Sequence, residues 1–232
     1  MKRSILFSAA ILGLTFTAFA DHHKEKPNTL TEKETADGWE LLFDGKDMSK
    51  FRNYNKEGLS EKWVVKDGAF TLTGKGGGDI ITKDEYKAFE LKLDYKISPG
   101  GNSGIMYHVE EVEKQTPWKT GPEIQIQDNV DGHDPQKAGW LYQLYPADTD
   151  ATNPAGEWNS VRIIISPDKC VHYMNGTKYV EYVKGSADWD AKVAASKFSK
   201  FEDFGKPTKG HTCLQDHGNV VSFRNVKVKV LD

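Results

Sequence analysis

Glu123, Gln125 and Gln127 alternate with Ile124 and Ile126 in the run Gly121-Pro122-Glu123-Ile124-Gln125-Ile126-Gln127-Asp128-Asn129. In an extended chain successive side chains point to opposite faces, so this spacing sets one carboxyl and two amides in a row above two core isoleucines. Solvated strand faces usually carry Lys, Glu or Thr, and a pair of glutamines therefore reads as a site more than as a surface. The carboxyl can move a proton. The amides can hold hydroxyl or carbonyl groups but are neither acids nor bases near neutral pH.

Two further clusters carry chemistry. In Cys213-Leu214-Gln215-Asp216-His217-Gly218, a histidine sits beside an aspartate at a glycine turn, where a neutral imidazole can take a proton. Arg224, a few residues on, can hold an oxyanion. In Gly100-Gly101-Asn102-Ser103-Gly104-Ile105-Met106-Tyr107-His108 the glycines permit close backbone approach to a ligand, and no helix follows to make a phosphate cradle. His108, Glu123, Asp128, His133 and His217 are the available ligands for a divalent ion. None has the spacing of a known metal motif, and no cofactor is called for.

Short segments with period-two apolar patterning, separated by Gly, Asn and Pro, must position these groups. They run from Glu40–Phe43 to Val220–Leu231 and are too many for one open sheet. Asp67-Gly68 and Asn175-Gly176 are two-residue hairpin signals joining antiparallel neighbours. Only Asp188 to Ser196 has helical spacing. The expected fold is all-β, a two-sheet antiparallel sandwich with one short helix.

The first twenty residues have the charged, apolar and small-residue regions of a secretory signal peptide, with cleavage expected near Ala20. Residues 21–36 are polar and read as a disordered linker, and residues 37–232 as one domain. The expected product is exported, periplasmic or secreted, without a membrane anchor. A net charge of −3, with 31 basic and 34 acidic side chains interspersed, argues against nucleic acid and for a small neutral ligand. Cys170 and Cys213 could pair in an oxidising compartment or serve as small apolar residues.

The strand around Glu123 resembles that of the concanavalin A-like glucanases, which carry Glu-x-Asp-x-Glu. Here amides replace the second and third carboxyls, so a retaining mechanism with a carboxyl pair on that strand is not expected. Taken together, Gly38-Trp39-Glu40-Leu41-Leu42-Phe43-Asp44-Gly45-Lys46, Gly101-Asn102-Ser103-Gly104-Ile105, Gly121-Pro122-Glu123-Ile124-Gln125, Gly156-Glu157-Trp158-Asn159 and Leu214-Gln215-Asp216-His217-Gly218 resemble the 3-keto-disaccharide hydrolase family, formerly a domain of unknown function, of the concanavalin A-like lectin/glucanase superfamily. The order and spacing match over nearly all of residues 38–231.

That resemblance implies a jelly-roll sandwich and cleavage of glycosides whose glucosyl unit is oxidised at C3. A ketone at C3 acidifies the C2 hydrogen, because the carbanion is an enolate, and loss of the C1 substituent then breaks the glycosidic bond. Glu123 and His217 are the expected acid and base, in either order. Asn102, Gln125, Gln127 and Arg224 would bind substrate or its enolate, Tyr107 would stack or donate, and Asp128 and Gln215 would orient these groups. The competing expectation is a lectin-like sandwich that binds sugar without turnover.

Overall fold

The computed structural model describes residues 26–231, so the expected signal peptide lies outside the described residues. The chain enters through α1 (Glu32–Ala36) and then forms β1 (Trp39–Leu41), β2 (Phe51–Asn53), β3 (Trp63–Lys66), β4 (Ala69–Leu72), β5 (Ile80–Thr82), β6 (Phe89–Ile97), β7 (Asn102–Val109) and β8 (Glu123–Gln127). After a long excursion come β9 (Asn159–Ile165), β10 (Cys170–Met174), β11 (Thr177–Tyr182), α2 (Ala187–Ala195), a 3₁₀ turn (Lys197–Lys200), β12 (His211–Leu214) and β13 (Val221–Val230).

The strands make two antiparallel sheets. The larger runs β11-β10-β9-β6-β13-β4-β3 with β1 also on β13, and the smaller runs β2-β5-β12-β7-β8. Both expected hairpins form: Asp67-Gly68 and Asn175-Gly176 all have positive φ, the geometry of the tight turn whose twist matches paired strands. The core lies between the sheets. Leu91, Leu93, Tyr95, Ile163 and Phe223 of the large sheet meet Ile80, Ile105, Tyr107, Ile124, Ile126 and Leu214 of the small one, all buried. Each such side chain contributes about 1.5–3 kcal/mol.

The small sheet has a second buried layer on its other face, made by Ile81, Met106, Val109 and Cys213. Strand parity therefore gives this sheet two packed faces. Cys213 lies in this layer and Cys170 in the inter-sheet core, and both are free thiols.

The expected linker is corrected over residues 26–36, which are docked rather than disordered. Thr31 and Glu34 close a capping box on α1, and the Glu34 carboxylate accepts from the buried Lys227 ammonium at 2.7 Å and from Lys92 at 3.2 Å. Asn28 and Asn225 exchange backbone-to-amide hydrogen bonds at a bulge in β13, both at positive φ. Polar partners nearly two hundred residues away order a segment with little apolar surface of its own.

Candidate active site

The register of the small sheet places the candidate groups. Pairing of Met106 with Glu123, Gly104 with Gln125 and Asn102 with Gln127 puts all six on the face turned away from the large sheet. Ile124 and Ile126 go to the inter-sheet core. On β12 the same face continues through Cys213 to Gln215, and at the start of β5 through Ile81 to Asp79. The result is a cleft of about 370 Å³ whose lining includes Asp79, Asn102, Glu123, Gln125, Gln215 and His217. A second hollow of about 490 Å³ shares Asn102 and His217 with it and extends past His133 and Asn219.

Gly104 makes room for the acid. A methyl group built on Gly104 would overlap the Glu123 carboxyl, so only glycine lets that side chain lie flat across β7. Glu123 is 7% exposed, and its burial raises its pKa to about 8; the Lys197 ammonium pulls it down, while Asp79 and Asp134 push it further up. It is a neutral acid at pH 7. Asp79 is raised to about 6, again first by burial, with the Asp216 backbone N–H opposing and the Asp216 charge adding. It is ionised at pH 7. The Asp216 N–H donates to Asp79 Oδ1 at 2.8 Å, and Asp216 itself accepts from the backbone of Gly76, Gly78 and Gly218. This web fixes the turn that presents His217, which is exposed at the rim.

Several polar atoms of the cleft are buried with no partner among the described residues: Asn102 Oδ1, Gln125 Nε2 and Gln215 Oε1. An unpaired buried amide costs about 1–3 kcal/mol, so a cluster of them marks a surface built for another molecule's hydroxyl and carbonyl groups. No three His, Cys, Asp or Glu side chains are grouped to hold a metal ion among the described residues.

Four sequence assignments are corrected. Tyr107 faces the inter-sheet core, where its hydroxyl meets Tyr182 Oη at 2.8 Å. Arg224 lies on the large sheet, bound to Asp94 at 3.2 Å and stacked on Trp158 at 4.1 Å. Asp128 accepts from the Gly100 and Val130 backbone and so shapes a loop instead of lining the cleft. Gln127 shares the face of Glu123 but spends its amide N–H groups on the carbonyls of Asp134 and Gln136, at 3.1 and 2.6 Å. It pins the loop that forms one wall.

That wall carries groups the sequence did not disclose. Residues 139–142 pair along β8, with the Gly139 and Tyr142 N–H groups donating to Gln125 and Glu123 carbonyls. Tyr142 Oη then donates to Asp134 at 2.9 Å, and both line the cleft with Trp118 and Lys197. Only the hydrophobic 139–145 stretch, unassigned to any strand, hinted at a strand-covering loop. Lys197 arrives from the turn after α2. The residue is exposed, its ammonium lies 4.3 Å from the Tyr142 ring, and partial burial lowers its pKa.

This geometry agrees with what the chain is similar to. Residues 38–229 match the model of the 3-keto-alpha-glucoside-1,2-lyase-like domain. The chain belongs to that family. A 3-keto-disaccharide hydrolase of Bacteroides thetaiotaomicron is 35% identical, the match covering 85% of this chain and 80% of that protein. Among solved structures, a proposed glycosyl hydrolase of Parabacteroides distasonis has a TM-score of 0.85 and 39% identity, covering 89% of this chain and all of the other. A second proposed glycosyl hydrolase from that organism has a TM-score of 0.64 and 32% identity, covering 83% and 99%. The jelly-roll sandwich expected from the sequence is thus the fold of the lyase-like family to which this enzyme belongs.

Proposed function

We propose that the protein cleaves glycosides whose glucosyl unit carries a ketone at C3, by elimination followed by hydration. The observation that supports this best is a buried carboxyl that is protonated at neutral pH, surrounded by amides with unmade hydrogen bonds. His217, exposed at the rim, takes the C2 proton. The electron pair moves to the C3 oxygen, where the Gln125 amide donates, and the enolate expels the C1 oxygen as Glu123 protonates it. Asn102 Oδ1 and Gln215 Oε1 accept from sugar hydroxyls. Water then adds to C1 of the unsaturated ketone, giving its proton to Glu123, and His217 returns a proton to C2.

A second reading follows from Asp79, whose ionised carboxylate shares the cleft with the protonated Glu123. Such a pair could hydrolyse an ordinary glycoside directly. Reaction in deuterated water separates the two. Deuterium at C2 of the product, with unoxidised glucosides inert, is expected; cleavage of ordinary glucosides with the C2 hydrogen retained would overturn the elimination. Binding of keto sugars without any turnover would instead favour a lectin. Export belongs to the same proposal, and sequencing the N-terminus of the mature protein should find it near Asp21.

A further inference from the structure

We propose that Lys197 holds the C3 oxygen as it turns from ketone to enolate. This rests on the keto-glycoside reading above. An enolate is an anion, so its formation is favoured by a positive charge nearby. Arg224, the candidate from sequence, lies on the other sheet with its own partners. Among the described residues, Lys197 is the one Lys or Arg that lines the cleft.

Its placement is specific. The Ser196 hydroxyl accepts the Phe198 N–H at 3.1 Å and so starts the turn, while Gln143 Oε1 accepts the Lys197 N–H at 3.3 Å. The ammonium is cradled by aromatic faces, 4.3 Å from Tyr142 and 5.4 Å from Trp118. Glu123 and Asp134 act on it through space, without a hydrogen bond, and Lys200 is the other charge that it feels. Among the described residues it has no ion pair to break before it takes a substrate oxygen. Gln125 Nε2 offers a second unused donor from the sheet.

The sign of this charge also discriminates between mechanisms. Direct glycoside hydrolysis passes through an oxocarbenium-like cation, which a neighbouring ammonium destabilises. Elimination from a keto sugar passes through an anion, which the same ammonium stabilises. A cation over the cleft therefore suits the keto substrate and works against the unoxidised one.

The test compares wild type, Lys197→Met, Lys197→Arg and Arg224→Gln with methyl 3-keto-α-glucoside in deuterated water, following C2 exchange and cleavage by NMR. Lys197→Met should slow both by roughly 10²–10³-fold at saturating substrate with little change in KM, and Lys197→Arg should recover part of the loss. Because Lys197 favours ionisation of Glu123, its removal should also move the alkaline limb of the rate profile to higher pH. Arg224→Gln should turn over normally. Melting curves check that the exposed Lys197 position tolerates the change. Wild-type rates in Lys197→Met, or a loss in KM alone, would overturn the assignment while leaving the keto-glycoside reading intact. Cleavage by wild type without C2 exchange would remove that reading and Lys197's role with it.

Discussion

Two clefts of nearly equal size, about 370 and about 380 Å³, open on opposite sides of the sandwich. The one over the large sheet is lined by Glu34, Lys92, Asp94, Ser160 and Lys227, and its charges answer one another. Lys227 and Lys92 meet Glu34, while Asp94 accepts from Ser160, Arg224 and Asn225. The one over the small sheet holds a protonated carboxyl and amide atoms with nothing to bond. Volume does not separate these clefts. Satisfaction does: the first is a closed network that fastens the N-terminal segment, and the second keeps amide atoms without a partner among the described residues.

Substitutions should therefore divide by side, rate on one and stability on the other. Glu123→Gln is expected to lower kcat on a keto glucoside by about two to four powers of ten, measured at pH 7. It should also stabilise the fold. A carboxyl whose folded pKa stands near 8, against about 4.5 unfolded, loses stability as pH rises through that window, so the gain in melting temperature should grow from pH 5 to pH 8. No growth with pH would show that Glu123 ionises normally.

Gly104→Ala should cost about 10²-fold in kcat, because the added methyl displaces the carboxyl it lies beneath, with a smaller loss of stability. Equal rates would mean that the position of Glu123 is not critical. On the other side, Lys227→Met leaves Glu34 buried without its closest partner and should destabilise by about 3–5 kcal/mol in denaturant titration, with kcat unchanged. Altered kcat there would break the division. The smallest effect expected is that of Asp79→Asn. It removes a charge that raises Glu123 and should move the alkaline limb, otherwise near pH 8, to lower pH.

The sandwich was legible because its signals are local. Asp67-Gly68 and Asn175-Gly176 mark hairpins within four residues, and the alternation at Glu123–Gln127 states which side chains share a face. Asn102, Glu123, Gln125, Gln215 and His217 line one cleft. Parity is silent, however, on which face of a sheet meets the other sheet. Tyr107 was misassigned for that reason, since it turns to the inter-sheet core, and Arg224 because its strand belongs to the other sheet. Lys197 and Asp134 reach the cleft from loops whose docking depends on distant partners. The same holds for Glu34 with Lys227, a pair whose sequence neighbourhood looks like a tether.

The unpaired amides have a thermodynamic consequence. Any molecule that completes their hydrogen bonds binds the folded chain and not the unfolded one, so occupancy and folding are linked. At a hundred times its Kd such a ligand adds about 2.7 kcal/mol to the stability of the fold. The melting temperature then reports the fit of a sugar before any bond is cleaved. A series of glycosides differing only in the group at C1 can be ranked by thermal shift in the Glu123→Gln protein, where turnover is suppressed and the amides remain in place.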